Sequence, residues 1–290
     1  VIGHSREMLS FPYRLLKHFF CPFLRAVVLV GAPVVLCSCM STTQPGVVGV
    51  ERQQLLLVSS DEVDKLSAIS YDEQNTTAKS KGQLVTSGPE LERLKKITDN
   101  LIRQTPTFRK DSLGWNWNVV LIDEPIVNAT CAAGGKITVY SGLINQLKPT
   151  DDEIAAVLAH EIAHALREHS REKYSQLVVQ NTISNVALLA TKNREDEVKL
   201  ANQVATLLVS LPYSREMESE ADVIGLELMA RAGYNPEAAL SMQRKLGAAS
   251  SGQSPPELLS THPATATRIK DLSTLIPKVM PLYEQAAKRP

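Results

Sequence analysis

Neither sign of charge dominates this sequence: 31 Lys and Arg stand against 31 Asp and Glu in 290 residues, and the formal net charge is zero. Nucleic-acid binders meet phosphates with a basic excess or stripe; with neither standing out here, no nucleic-acid partner is expected. Aromatic residues are scarce, at 5% of the chain, and do not interleave with basic runs, which argues the same way. The apolar run Ala26–Leu36 is too short to span a bilayer. Internal repeats are lacking, so a helical-repeat domain is absent or reduced to the last helices. What remains is enough chain, 43% of it hydrophobic, for one substantial domain, alone or with an appendage.

Cysteine is also scarce. Of Cys21, Cys37, Cys39 and Cys131, the first three fall in a leader-like start. There Arg6, Arg14, Lys17 and Arg25 precede an uncharged run of signal-peptide length, which ends Leu36-Cys37-Ser38-Cys39. That ending resembles a bacterial lipobox. It implies cleavage after Ser38 and a lipid on Cys39, with Cys37 a less usual site; a plain secretory signal or an uncleaved anchor is the alternative. Met40, where Asp would favour inner-membrane retention, points to the outer membrane. Only Cys131 would then stay free, so no internal disulfide is expected.

The organisation expected from the pattern is a signal segment at 1–38, a polar tether at 39–86, a globular domain at 87–277 and a tail at 278–290. Within 39–86, Gln53–Val58 suits a short strand. Leu91, Leu94, Ile97, Leu101 and Ile102 recur at helix spacing after Gly88-Pro89. Strands are expected at 115–122 and 136–140, the second launched by Gly134-Gly135. Thr150 with Glu153 makes a capping box for the next helix, and Asp151 and Asp152 suit its positive end. Further helices are expected at about 171–190, 196–211, 214–233, from Asn235-Pro236 onward, and at 264–276, with a charged loop at 192–197 and a linker at 248–260. The class is α+β, mostly helical.

On the capped helix stands His160-Glu161-Ile162-Ala163-His164. Residues four apart share a helix face, so both imidazoles can reach one metal while Glu161 reaches a water beside it. Two His and a Glu buried there without a metal would be costly. A hydrolytic zinc needs a third protein ligand. Arg167 and Ser170 stand where an extended HExxHxxGxxH motif needs Gly and His, so the ligand must come from elsewhere. Glu218 is the best candidate, with Asp222 at i+4 placed to accept the free N–H of a ligand His; the plainer reading of Glu218 is one more acid on an acidic helix. Glu216, Glu220, Glu168 and His169 fall at other helical angles and are expected to be solvated.

HExxH followed by Glu218-x-x-Ala221-Asp222 resembles the gluzincin group of HtpX-type membrane proteases, CAAX prenyl-protein endopeptidases and periplasmic BepA-like and LoiP-like lipoprotein proteases. The likeness extends to Asn128-Ala129, to Gly134, Gly135, Lys136, Ile137, Thr138 and Val139, to Ser141-Gly142-Leu143, Ser214-Arg215, Thr261-His262-Pro263 and Arg268-Ile269. Thr130–Ala133 depart from the pattern and make Cys131 unusual. The resemblance implies a zincin-like fold with one zinc ion, and Gly134–Val139 as an edge strand above the zinc helix that pairs with substrate backbone. It further implies an endopeptidase acting on misfolded or misassembled envelope proteins from a lipid-anchored periplasmic position. The residues leave open a chaperone-like or scaffold lipoprotein whose zinc is structural or latent. For His262 three readings stand: a structural cap before Pro263, a fourth ligand that gates the site, or an oxyanion donor. Arg268, Tyr213 and Arg215 are weaker oxyanion candidates.

Overall fold

The computed structural model describes residues 39–179, 194–250, 256–263 and 266–288. The chain divides into two units, Val1–Cys39 and Met40–Pro290, and the second carries every labelled helix and strand and every candidate metal-site residue below. The signal segment at 1–38 and residues 251–255 of the linker expected at 248–260 lie outside the described residues, as does the end of the helix expected at 171–190.

The helix that bears the motif, α4 (Asp151–Leu166), is the centre of the domain. Ahead of it come α1 (Ser60–Ser80), α2 (Pro89–Ile102) and α3 (Ser141–Leu147). The capping box forms in both directions: Glu153 N–H donates to Thr150 Oγ1 at 3.3 Å, and Thr150 N–H to Glu153 Oε2 at 2.8 Å. Ile154, Leu158, Ala159, Ile162 and Ala163 are buried to within 1%. Such all-round burial holds the motif rigidly, because its helix has no solvated face to rock on. α5 (His169–Val179) and α6 (Arg194–Ser210) come next, so residues expected in a charged loop are, from Arg194 on, already helical.

α7 (Arg215–Arg231) crosses α4 closely, capped by Ser214 Oγ, which accepts from Met217 N–H. Gly225 allows the approach: a Cβ there would stand 3.0 Å from His160 N and 3.1 Å from the Ala159 carbonyl carbon. α8 (Glu237–Ala249), α9 (Leu258–Thr261) and α10 (Ala266–Ala287) complete the helical side. Asn235 does not cap α8 directly; Pro236 holds the cap position, and Asn235 Oδ1 accepts from Glu237 N–H at 3.0 Å. α10 corrects the expected tail: it runs through Pro277 and Pro281 to Ala287, because Ile276 and Val279 are buried on the domain and outweigh the prolines.

Four strands form the main sheet: β1 (Leu84–Val85), β2 (Asn118–Ile122), β3 (Ala129–Ala132) and β4 (Lys136–Tyr140), in spatial order β1-β2-β4-β3. β2 starts later than expected because Trp117 turns aside, its ring stacked on Trp115 and its Nε1 donating to Ser112 O. β4 runs parallel to β2, Val120 opposite Thr138, and antiparallel to β3, Thr130 opposite Thr138. The strand expected at the edge is therefore paired on both sides, and the edge belongs to β3. Gly134 and Gly135 make the β3–β4 turn at φ 73° and 81°, where a Cβ on Gly135 would meet the Trp117 ring at 2.6 Å.

The expected tether is folded domain. Val48, Val50, Leu56 and Val58 are buried, and α1 buries Val63, Leu66, Tyr71 and Ala78. Of the expected Gln53–Val58 strand, only Gln54–Leu55 is extended in a pairing segment. Four buried residues over 21 is too sparse a stripe to stand out, yet two of them, Val63 and Leu66, form a second small core with Val58, Tyr174, Leu200 and Val204. Among the described residues no helix is long and apolar enough to cross a membrane.

Candidate active site

α4, α7 and the turn after α9 bring four donors together. His160, His164, Glu218 and His262 offer ligand atoms that all lie within 4.8 Å of one another. His160 Nε2 faces His164 Nε2 at 3.1 Å, and Glu218 lies 3.4 Å from His164 Nε2 and 3.5 Å from His160 Nε2. Tetrahedral zinc with ligands at about 2.0–2.1 Å sets its donors about 3.3 Å apart, so these three atoms span a zinc-sized triangle. Two imidazole nitrogens facing each other at this distance cannot both carry protons, which is the expected arrangement of lone pairs aimed at a cation. The residues fit zinc.

The electrostatics agree. Burial opposes charge on Glu218, but His160, His164 and His262 hold its carboxyl far below the ordinary carboxylate range. Burial also works against an imidazolium at His160, yet Asp222 and Glu218 push it up to about 10. Burial drives His164 well below the ordinary His value, with Glu218 opposing. The site thus asks for positive charge at the point where the donors meet.

Asp222 Oδ1 lies 3.1 Å from His160 Nδ1, the relation the i+4 spacing on α7 suggested. Arg268, on α10, approaches both carboxylates: Nε and Nη2 donate to Asp222 at 2.6 and 2.7 Å, and Nη1 lies 2.7 Å from Glu218 Oε2. Its guanidinium is engaged by these carboxylates and Pro263 O, so Arg268 orients the carboxylates instead of standing open to a substrate oxygen. Glu161 is buried, and its Oε1 has no hydrogen-bond partner among the described residues. Burial raises its carboxyl above the ordinary value, against His262, His160 and the backbone of Cys131. A buried, basic oxygen beside the donor set is what a proton acceptor needs.

His262 is drawn into the centre. Its Nδ1 lies 2.8 Å from Glu218 Oε1 and 3.3 Å from His160 Nε2, and its Nε2 lies 3.6 Å from Glu161 Oε1. A capping role alone does not account for that placement. Tyr213 lays its ring on His164 at 4.1 Å between centroids and pairs its hydroxyl with Ser170 at 3.2 Å. Arg215 and Glu216 are exposed. A cleft of about 240 Å³ opens beside Glu161, lined by Thr130, Cys131, Tyr213, Thr261 and His262. Lys136 and Thr138 reach this cleft from β4, but the strand edge beside it is β3's.

Three residues expected in solvent are not there. Glu168, His169 and Glu220 are 7%, 0% and 8% exposed. α4 ends at Leu166, and Glu168 adopts the left-handed region at φ 51°, so extrapolating the helical angle past Arg167 misplaces Glu168 and His169. His169 comes back under His164, and Glu220 meets Arg52, Arg167 and His169. The only signal in the sequence was the number of charged residues clustered in a helix otherwise built for burial.

The model of peptidase family M48 matches residues 89–276. Among similar proteins, the mitochondrial metalloendopeptidase OMA1 of Arabidopsis thaliana is 38% identical over 164 residues, 55% of this chain and 32% of its own length. The mitochondrial metalloendopeptidase OMA1 of Homo sapiens is 30% identical over 247 residues, 80% of this chain and 46% of its own. The Beta-barrel assembly-enhancing protease of Escherichia coli is 25% identical over 176 residues, 58% of this chain and 36% of its own. The chain spans between a third and a half of the length of the curated relatives it matches.

Proposed function

The chain belongs to peptidase family M48, and from that premise we propose that it is a zinc-dependent endopeptidase with His160, His164 and Glu218 as ligands and Glu161 as general base. The observation that carries the proposal is the pairing of a zinc-sized donor triangle with a basic Glu161 Oε1 that has no hydrogen-bond partner among the described residues. A structural zinc has no use for such a base.

When bound, zinc would polarise the scissile carbonyl and ease the deprotonation of water. The chain's own groups do the rest. Glu161 Oε1 takes the proton of the attacking water and delivers it to the leaving amine. The Arg268–Asp222 pair keeps the proton of His160 on Nδ1, so that Nε2 stays a donor. β3 offers its edge to an extended peptide, which suits unfolded segments.

The substrates we propose are misfolded or misassembled envelope polypeptides, met from a lipid anchor at Cys39 in the outer membrane facing the periplasm. The E. coli relative's name, with its reference to β-barrel assembly, supports this substrate class. The compartment rests on the Ala26–Cys39 pattern, since the OMA1 relatives are mitochondrial by name. A second reading, a latent site, is favoured by one observation: His262 occupies the approach to the donors. Degradation of unfolded casein by the full chain, stopped by a chelator and restored by zinc, tests the enzyme reading. Stoichiometric zinc with no cleavage would favour the latent one.

A further inference from the structure

A second chain of buried polar groups starts on the far side of His164. Its Nδ1 lies 2.9 Å from His169 Nδ1, and His169 Nε2 lies 3.0 Å from Glu220 Oε2. His164 and His169 are 2% and 0% exposed, so no solvent satisfies these nitrogens. Glu220 is locked in turn: Arg167 reaches its two oxygens at 2.9 and 3.2 Å, and Arg52 at 2.9 and 3.0 Å. Arg52 also takes Glu172 at 2.6 and 2.8 Å, which ties the segment before α1 into the same cluster.

The protons on this chain have one consistent arrangement if His164 offers Nε2 to a metal. Nδ1 then carries the hydrogen and donates. His169 must accept it on Nδ1 and so carries its own hydrogen on Nε2. That hydrogen is donated to Glu220, which two arginines keep ionised. At His160 the order is shorter, with Asp222 in direct reach and Arg268 behind it. The two ligand histidines are therefore each backed by a carboxylate–arginine pair, one directly and one through an intervening imidazole.

We propose that His169 and Glu220 are positioning residues for the metal, which fix the tautomer and ring orientation of His164 and raise its strength as a donor. The proposal rests on the reading of His160, His164 and Glu218 as zinc ligands. It also gives the segment that carries Arg52 a part in metal binding that nothing in the HExxH motif specifies.

Three forms of the full chain test it: the parent, His169→Phe and His169→Gln. Phe keeps ring volume but neither accepts nor donates. Gln restores both functions, since its carbonyl oxygen can accept from His164 and its amide can donate to Glu220. Zinc affinity is read by competition with a chromogenic chelator, and cobalt-substituted protein gives a visible spectrum that reports ligand geometry. His169→Phe should weaken zinc about 10–100-fold and shift the cobalt bands, while His169→Gln should stay within about threefold of the parent. Parental affinity in a folded His169→Phe, or equal loss in both variants, overturns the proposal. Nitrogen NMR of the zinc-loaded parent decides it without any substitution: hydrogen on His164 Nδ1 and His169 Nε2 is expected, and hydrogen on His169 Nδ1 overturns it. A parent that takes up no zinc would instead overturn the proposed function, so the two failures are distinct.

Discussion

Arg268 grips Asp222 through two hydrogen bonds, Nε to Oδ2 at 2.6 Å and Nη2 to Oδ1 at 2.7 Å, and Asp222 Oδ1 in turn lies 3.1 Å from His160 Nδ1. The fork matters because both carboxylate oxygens are held while Nη1 still reaches Glu218. A lysine offers one point charge and cannot hold three oxygens in that geometry. Arg268→Lys is expected to fold but to bind zinc about tenfold more weakly or worse. Arg268→Ala should also lose about 3–5 kcal/mol of stability, since it strands two buried carboxylates. Chelator competition and denaturant unfolding measure the two effects separately.

Glu161→Gln separates metal binding from proton transfer. The amide keeps the side chain's shape and cannot take the proton of water. Zinc content should remain at the parental level while cleavage of unfolded casein falls by about 100-fold to 10,000-fold. Full activity with the metal bound would remove Glu161 from the role assigned to it.

His262 stands where a substrate oxygen would have to come, 2.8 Å from Glu218 and 3.3 Å from His160. If the ring plugs the site, it must leave before substrate enters, and that step slows every turnover. His262→Ala should then raise initial rates while zinc content holds. A fall in rate at unchanged zinc would instead make the ring a transition-state donor.

The pH dependence of stability has a clear contributor in Glu168. Burial raises its carboxyl, but Arg109 at 2.6 Å, Arg171 at 2.6 Å and Ser60 at 2.7 Å outweigh that and hold it below the ordinary value of 4.5. A carboxyl lowered in the folded state adds stability that is fully present above its unfolded pKa and lost as pH falls through its folded one. Glu168→Gln should therefore cost about 2 kcal/mol at pH 7. The gap to the parent should narrow as the pH falls below the ordinary value of 4.5 and close only below the lowered folded-state pKa. Urea midpoints at neutral and acid pH give both numbers.

What could be read in advance divides along a physical line. Thr150, Glu153, His160 and His164 act within one helix, where spacing in sequence is position in space, and the capping box and the shared face were legible there. The i, i+4 relation of Glu218 and Asp222 was legible for the same reason, three helices later. His169 was not, because a single left-handed residue at Glu168 ends the periodicity on which the angle was reckoned. Nor does a hairpin's sequence say on which side its next neighbour adds: β4 took β2 as a partner across a parallel crossover, which left the free edge to β3. The segment before α1 was hidden for a third reason. Its polar groups are not solvated but engaged by buried partners, as Gln54 is by Arg167 O at 2.6 Å and Glu172 at 2.9 Å.

That segment is held at a second point. Val47 and Val48 N–H donate to Glu227 Oε2 at 2.8 and 3.2 Å, with Glu227 fully buried. Gly46 makes the turn at φ 63°, and a Cβ there would collide with Glu227 Oε2 and stand 2.7 Å from the Phe108 ring. Gly49, three residues on, has φ 82° and nothing within 4 Å of where a Cβ would stand. Both alanine variants meet the backbone cost of the left-handed region, about 1 kcal/mol. Gly46→Ala alone adds the collision, so it should be destabilised by about 1–3 kcal/mol more. It should also expose residues 40–58 to protease before the rest of the domain opens. Because Arg52 lies on the freed segment and reaches Glu220 at 2.9 Å, zinc affinity should fall with it. In Gly49→Ala the affinity should hold. Equal behaviour of the two variants would mean that the segment's fit against Glu227 contributes nothing of its own.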